Sequence, residues 1–469
     1  MAENFQRKRE TKELLRKFEE FLKGDGKVYF ELEDYEKIID YYLDTEKYSK
    51  ALKASKLGMD QYPFSAVLML DHAQALCNLE QYQKALKVLE KANNLQPNDP
   101  DIYFLRGNTY SLMGKSQEAI KIFKEALDFS DDKSEIYYNI GLTYQGISEY
   151  KMAISYYQKS LDDNLFHESA LYELAYCMDL MGELENSISY YKKFIDQDPY
   201  SHHAWYNLGI VLNKLKKYDD AIKAYEYSIA IEETFSSAYF NLGNAYLNSG
   251  KFQKALESYK QTLDLEGVSP EGYCGIGKAY EQLEHYDLAI KYYRKTTKLD
   301  NLYDEAWFGI GKCLSKQDKW FESIHFFNNA LKFDAENPQY WQAIAEAEFK
   351  TGNILSSLDA FEEASLLDPY NMDIWLNWSF IYYEQGEYEK AINLIVSGID
   401  NLPDQSELYY RLTAYLIEAG KYKEAFNYLE NALILNFDNH KTLFEFFPKL
   451  ETQKALYKII DQYRKEDPQ

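Results

Sequence analysis

The chain has 469 residues, 46% of them hydrophobic and 27% charged, and its 76 acidic residues outnumber 52 basic ones for a net charge of −24. Such an acidic surface repels nucleic acid phosphates and anionic membranes, so it disfavours both as partners and leaves a basic or neutral protein segment as the easier ligand. Four widely spaced cysteines disfavour a disulfide framework or zinc site, and the absence of a signal peptide or apolar membrane-spanning run leads us to expect a cytoplasmic protein without membrane insertion.

Residues 1–31 precede a repeating pattern and are predicted to form a helix over 3–23. Its apolar residues recur on one side, namely Leu14, Leu15, Phe18, Phe21 and Leu22. The stretch Gly24-Asp25-Gly26 is expected to end it. We interpret the helix as a cap, because the exposed end of a repeat array needs covering. The alternative is a docking arm for a partner.

A small side chain then recurs at every thirty-fourth residue, twelve times without insertion or deletion. The series is Ala51, Ala85, Ala119, Ala153, Ser187, Ala221, Ala255, Ala289, Ser323, Ser357, Ala391 and Ala425. The repeats occupy residues 32–439 and start at residues 32, 66, 100, 134, 168, 202, 236, 270, 304, 338, 372 and 406. A fixed period of this length is typical of helical hairpins that bury their apolar faces only against neighbouring hairpins.

Two helices are predicted in each repeat, whose first residue is position 1. Large residues at positions 4, 7 and 11 mark one face of a first helix, and a small residue at 20 with a bulky one at 24 marks a second helix. Glycine at position 15 of several repeats favours the left-handed backbone that ends a helix. Prolines within the array fall only at positions 32 and 1, where a helix tolerates them.

This pattern resembles the tetratricopeptide repeat, and it is similar to the array-only, multi-repeat proteins of that family in bacteria. The closest segments are 204–209 (Ala-Trp-Tyr-Asn-Leu-Gly) and 237–246, and the resemblance extends over 32–439. It implies an all-α, right-handed α-solenoid, a superhelix of about twelve hairpins. It also implies that first helices line a concave groove, which positions 2, 5, 6, 9, 12 and 13 face, and that second helices form the convex wall.

Aromatic and asparagine residues at these positions form the predicted peptide-binding groove. The aromatic ladder at position 5 consists of Phe104, Tyr138, Tyr172, Tyr206, Phe240 and Phe308, with Tyr410 further on; the asparagines are Asn139, Asn207 and Asn241 at position 6 and Asn108 and Asn244 at position 9. Aromatic side chains supply a large apolar area and have few rotatable bonds that lose their freedom on binding. Asparagine can both donate hydrogen bonds to a peptide backbone and accept them from it. The alternative is that these residues only support helix packing.

Lysines at position 9 of two adjacent repeats give a second candidate feature. Lys278 and Lys312, with Lys316 and Lys350 nearby, form a possible cationic strip for a carboxylate or an acidic tail. The alternative is neutralisation by acidic residues of the same helices, Glu281, Glu305 and Glu346. The carboxylate clamp known from the family needs lysine at positions 5 and 2, which no repeat has, so that clamp is not expected.

The carboxy-terminal residues 440–469 are predicted to cap the other end. A truncated thirteenth unit begins with Leu443, Phe444, Phe446 and Phe447. A closing helix is expected over 450–464, with Leu456, Ile459 and Ile460 on its apolar side.

No catalytic motif is found in the sequence, and the only histidine pair, His202-His203, lacks a third metal ligand. We therefore expect neither enzymatic activity nor a metal or cofactor. The leading hypothesis is a scaffold or adaptor that binds a protein or peptide segment in its groove, as a monomer. One alternative is a regulatory or assembly subunit that acts in trans on an enzyme or secretion complex. Another is a protein that polymerises through its ends.

Overall fold

The computed structural model describes residues 2–23, 29–449 and 454–463, with side chains from residue 12 onward except that of Phe446. Within these ranges the chain forms α-helices joined by short turns, together with 3-10 turns near its carboxy-terminal end, and contains no strand. The all-α class and the helical-hairpin solenoid predicted from the sequence are therefore confirmed.

Twelve hairpins follow the amino-terminal helix α1 (Ala2–Leu22). Their first helices are α2 (Leu32–Asp44), α4 (Ala66–Asn78), α6 (Pro100–Leu112), α8 (Ser134–Gly146), α10 (Glu168–Leu180), α12 (His202–Lys214), α14 (Ser236–Asn248), α16 (Pro270–Gln282), α18 (Asp304–Lys316), α20 (Pro338–Thr351), α22 (Met372–Glu384) and α24 (Ser406–Glu418). Each of them begins at the first residue of a 34-residue unit.

The second helices alternate with the first helices along the chain. They are α3 (Tyr48–Gln61), α5 (Tyr82–Leu95), α7 (Ser116–Ala126), α9 (Tyr150–Asp163), α11 (Leu184–Gln197), α13 (Tyr218–Ile231), α15 (Phe252–Glu266), α17 (Tyr286–Leu299), α19 (Trp320–Leu331), α21 (Ile354–Leu367), α23 (Tyr388–Asn401) and α25 (Tyr422–Leu435). A 3-10 turn (Phe437–Asn439) and the helices α26 (His440–Phe446) and α27 (Lys454–Tyr463) follow.

The hairpins group into two compact units, the first ending at Glu232 and the second beginning at Glu233. The first unit holds α1 to α13, and the second holds α14 to α27. In each unit a second helix packs on its own first helix and on the first helix of the next hairpin. Most neighbouring first helices also pack directly on one another, so the first helices form the inner layer of each unit.

Within a hairpin, glycine at position 8 makes room for the ring at position 24. A Cβ atom built on Gly141 would lie 2.5 Å from Cε1 of Tyr157, closer than real carbon contacts allow. The same close approach occurs at Gly107, Gly209, Gly243, Gly277 and Gly311. The buried hydroxyl of Tyr157 donates a hydrogen bond to Oε1 of Gln145 at 2.5 Å. This bond fixes the ring against α8.

The turn inside every hairpin has a left-handed residue at position 15. Six of the twelve repeats have the glycine that the sequence predicted there, with φ between 70° and 85°, for example Gly114 and Gly352. The other six have a non-glycine residue with φ between 56° and 61°, such as Glu46 and Lys216. A side chain costs about 1–2 kcal/mol in this conformation, so the packing of the helices overrides the local preference in half of the turns.

Helices pack on both ends of the array. Phe18 and Leu15 of α1 are buried against the first hairpin, and Leu14, Phe21 and Leu22 pack around them. Lys50 of α3 donates to Glu19 at 2.6 Å. The predicted stop at Gly24-Asp25-Gly26 lies outside the described residues.

At the other end, α26 packs on α24 and α27 packs on α25. Leu443, Phe447, Leu456 and Ile460 are buried there, and Phe444 and Ile459 are partly buried. The closing helix is described from Lys454, so the predicted residues 450–453 and 464 lie outside the described residues, as does the side chain of Phe446.

Candidate functional site

The aromatic ladder is not uniform, since five of its six predicted rings pack within their own hairpins. Each of these rings is partly buried against the ring at position 24. The centroid distances are 6.1 Å for Phe104–Phe123, 5.9 Å for Tyr138–Tyr157, 6.0 Å for Tyr206–Tyr225, 5.7 Å for Phe240–Tyr259 and 5.5 Å for Phe308–Phe327. These five rings therefore take part in packing within their hairpins, and each also keeps part of its surface exposed.

Tyr410 does not belong to an accessible ladder. Its ring is buried and its hydroxyl donates to the backbone carbonyl of Asn436 at 2.8 Å. The placement of Tyr410 in the groove is therefore wrong. The reason is the carboxy-terminal segment, which covers the last hairpin and which the repeat pattern alone does not position.

Tyr172 is the exception in the ladder. Half of its side chain (50%) is exposed, and it pairs with no ring in the described part of the chain. Tyr176, one turn later on α10, is 44% exposed. Position 8 of this repeat is Ala175, whereas each repeat with a stacked position-5 ring has glycine there. The exposed ring of Tyr172 thus coincides with the loss of glycine at position 8.

Tyr172 and Tyr176 line a cleft of about 140 Å³ between α10 and α12. The other groove-facing residues of this cleft come from both helices and are Asp179, Asn207, Ile210 and Lys214. Lys214 donates to Asp179 at 2.6 Å, which ties the two helices together at the rim. The cleft combines three phenol groups, the third from Tyr191 of α11, with one amide and an apolar floor, a set suited to an extended segment with an apolar or aromatic side chain.

The remaining predicted asparagines lie in different settings. Asn108 and Asn139 line a second cleft, between α6 and α8. The Nδ2 of Asn139 already donates to the backbone and side-chain oxygens of Glu135, at 2.8 and 3.0 Å. Asn244 accepts a hydrogen bond from the hydroxyl of Tyr259 at 2.7 Å and donates to Asn241 at 3.4 Å. Asn139, Asn241 and Asn244 are therefore engaged in hydrogen bonds within the protein.

The two key lysines of the predicted cationic strip are ion-paired between adjacent hairpins. Lys278 donates to Glu305 at 2.7 Å and Lys312 donates to Glu281 at 2.6 Å. The hydroxyl of Tyr293 also donates to Glu281, at 2.6 Å. At these two lysines the structure shows the neutralisation by Glu281 and Glu305 that was the alternative to a cationic strip, because position 9 of one hairpin faces position 12 of the hairpin before it and position 2 of the hairpin after it.

Both lysines nevertheless line a cleft in the second unit, of about 380 Å³, together with Phe308. The ammonium group of Lys312 lies 5.3 Å from the centroid of the Phe308 ring, a cation–π distance. Because each positive charge in the cleft has a carboxylate beside it, the cleft offers no net attraction for an acidic tail.

Acidic residues at inner positions of the first two repeats were not singled out from the sequence. Glu36 and Asp40 lie at positions 5 and 9 of the first repeat, and Asp71 lies at position 6 of the second. Burial, together with the charges of Asp40 and Glu36, raises the pKa of Asp71 to about 7. Burial also raises the pKa of Asp40 and that of Glu36. All three carboxylates lie at positions of the repeat that are expected to face the groove, and this pattern could have identified them from the sequence.

The four cysteine thiols lie in environments that raise their pKa values. All four cysteines are buried, and burial raises the pKa of Cys313 and of Cys274 to about 12, which disfavours the reactive thiolate. The described residues contain no group of three or more His, Cys, Asp or Glu side chains placed to hold a metal ion. No helix in the described ranges is both long and apolar enough to cross a membrane.

Comparison with known families matches the chain to several repeat models. Models of the tetratricopeptide repeat match residues 200–265, 73–114, 100–133 and 270–301. A model of anaphase-promoting complex, cyclosome, subunit 3 matches residues 147–228. No curated protein matches the sequence significantly.

Solved structures of repeat proteins are similar to the chain over different lengths. The APC/C hetero-tetramer Cut9-Hcn1 is 15% identical, with 92% of each chain covered and a TM-score of 0.41. YrrB, a TPR protein with an unusual peptide-binding site, is 18% identical over 39% of this chain and 95% of its own, with a TM-score of 0.32. MamA is 29% identical over 36% of this chain and 92% of its own, with a TM-score of 0.33.

Proposed function

Because the chain is a tetratricopeptide-repeat protein, we propose that it is a protein-interaction scaffold that holds an extended protein segment against the first helices of its first unit. The cleft between α10 and α12 is the anchor of this site. No catalytic step is proposed. The cytoplasmic location and the monomeric state expected from the sequence remain predictions.

The unpaired ring of Tyr172 is the observation that carries this function. Five equivalent rings pack on a neighbour within the hairpin, whereas Tyr172 leaves half of its surface to solvent in a cleft. A tyrosine held on a helix buries a large apolar area on binding and loses little conformational entropy, which is why tyrosines are frequent hot spots of protein interfaces.

Asn207 complements the aromatic pair from the opposite side of the cleft. It lies on α12 and its amide can donate to and accept from the backbone of an extended segment. The floor between α10 and α12 is apolar, with Ile210 and Val211. A segment laid across the two helices would thus place a side chain between the tyrosines and its backbone near the amide.

Replacement of Tyr172 by alanine tests this function with a defined probe. The probe is a dodecapeptide selected from a random display library on the full-length chain, labelled with a fluorophore and titrated by anisotropy. Loss of a tyrosine hot spot costs about 2 kcal/mol or more, so we expect the dissociation constant to rise roughly 30-fold. The melting temperature should change little, because the ring is exposed and unpaired.

Tyr200→Ala is the matched control for this replacement. Tyr200 is 80% exposed and lies in the turn before α12, outside the cleft. Its removal should leave the dissociation constant within about twofold of the wild-type value. Equal binding by the Tyr172→Ala variant and the wild type would contradict the proposed function, as would a library that yields no peptide above the background of an unrelated protein.

A further inference from the structure

We propose that the protein segment held by the first unit is basic, with lysine or arginine side chains received by acidic residues of the first helices. This inference rests on the proposed function, and it names the class of ligand for that same groove. It is carried by the way in which charge is divided between the two layers of helices.

The first helices of the first unit are acidic, whereas its second helices are not. Helices α2, α4, α6, α8, α10 and α12 contain 11 acidic and 3 basic residues. Helices α3, α5, α7, α9, α11 and α13 contain 11 acidic and 13 basic residues. A charge that served solubility alone would have no reason to collect on the inner layer, where it creates a negative potential that attracts a cationic segment.

The second unit shows no such division, which makes it an internal comparison. Its six first helices contain 10 acidic and 5 basic residues, and its six second helices contain 12 and 8. Lys278 and Lys312 of this unit are also paired with carboxylates across hairpins. The concentration of negative charge on one layer is therefore a property of the first unit and not of the repeat as such.

One carboxylate near the start of the first unit, that of Asp71, has a buried oxygen that a basic segment could satisfy. Asp71 has its Oδ2 atom buried without a hydrogen-bond partner, and Asp40 and Glu36 lie close enough to repel its charge. A lysine or arginine side chain that entered between α2 and α4 would relieve this repulsion and satisfy the buried oxygen.

The aromatic cleft fits the same class of ligand. Tyr172 and Tyr176 expose their rings one helical turn apart, and the face of a tyrosine ring attracts a guanidinium or ammonium group. The cleft lies three hairpins from α4, or roughly 30 Å at a helix packing distance of about 10 Å. An extended dodecapeptide spans up to about 40 Å, so one such segment can reach both places.

The composition of selected peptides tests the inference. Dodecapeptides selected on the full-length chain should be enriched in lysine and arginine relative to the starting library. Because exposed charges are screened by salt, their dissociation constants should rise about tenfold or more between 50 and 500 mM sodium chloride. Neutral or acidic peptides whose binding is lost in Tyr172→Ala would overturn the inference and leave the proposed function standing.

Two triple variants that each replace three carboxyl groups, compared at pH 8 where Asp71 is mostly ionised, separate the groove from the whole surface. Glu36→Gln, Asp40→Asn and Asp71→Asn together should weaken a selected basic peptide about tenfold. The control replaces three exposed acidic residues of α5, α7 and α11, namely Glu90→Gln, Glu118→Gln and Asp196→Asn, and should change binding less than twofold.

Each outcome of this comparison has a distinct meaning. Equal weakening by both triple variants would show a general charge effect and overturn the inference. A basic peptide that is sensitive to the groove triple but not to Tyr172→Ala would support the inference on charge and contradict the anchor of the proposed function. Circular dichroism of each variant checks that it is folded, which we expect because the groove triple only removes repulsion.

Discussion

Gly141→Ala is expected to destabilise the first unit by about 1–3 kcal/mol, whereas Gly146→Ala in the same helix should be neutral or stabilising by up to about 1 kcal/mol. The new Cβ at residue 141 would lie 2.5 Å from the ring of Tyr157, which is buried and anchored to Gln145. The ring cannot retreat without weakening that hydrogen bond. A Cβ at residue 146 meets nothing within 4 Å.

Urea denaturation followed by circular dichroism, with hydrogen exchange to assign the effect to α8 and α9, measures this difference. Alanine at the equivalent residue 175 occurs naturally, beside a tyrosine that has no ring partner. Gly141→Ala should therefore also uncouple Tyr138 from Tyr157 and increase the exposure of Tyr138. Equal stability of the two alanine variants would show that the ring does not need the space that glycine leaves.

Phe18→Ala is expected to cost about 3–5 kcal/mol, the usual effect of removing a buried phenylalanine. Phe18 is fully buried, and its ring meets those of Phe30 and Tyr35 edge-on at centroid distances of 5.5 and 6.2 Å. Because repeats stabilise their neighbours, loss of this contact should destabilise the hairpin of α2 and α3 most. The destabilisation should then decrease along the following hairpins.

Hydrogen exchange resolved along the chain measures this effect. Amides of α2 and α3 should exchange about a hundredfold faster or more, and those of the second unit should be unchanged. Phe64→Ala is the control, since Phe64 is exposed in the turn before α4 and its loss should cost less than about 0.5 kcal/mol. If α1 were a docking arm, Phe18→Ala would leave the exchange of α2 and α3 unaltered.

The helices and their register could be predicted from the sequence because period, proline and glycine all act locally. Within a helix, proline is well tolerated only in the first turn. Pro270 and Pro338 are each the first residue of a helix. The non-glycine turns could not be predicted in this way. At Glu46 and Lys216 the left-handed backbone is set by the packing of two helices and not by the residue itself.

The candidate site could be predicted only in part, because its decisive features depend on two hairpins or two positions at once. Position 5 marks Tyr172 and Phe240 alike, and the two repeats differ at position 8, which is alanine beside the exposed ring and glycine beside the packed one. Lys312 is a groove residue by register, but its partner Glu281 belongs to the preceding hairpin. Such pairs follow from how hairpins stack, which a single repeat does not reveal.

Cross-linking of a selected dodecapeptide that carries a benzophenone group, followed by mass spectrometry, tests most directly whether the inner layer of the first unit is the binding surface. We expect cross-links to first helices of that unit, above all to α10 and α12, and their loss in Tyr172→Ala. Cross-links confined to the second helices α9, α11 and α13, or to the second unit, would contradict the account.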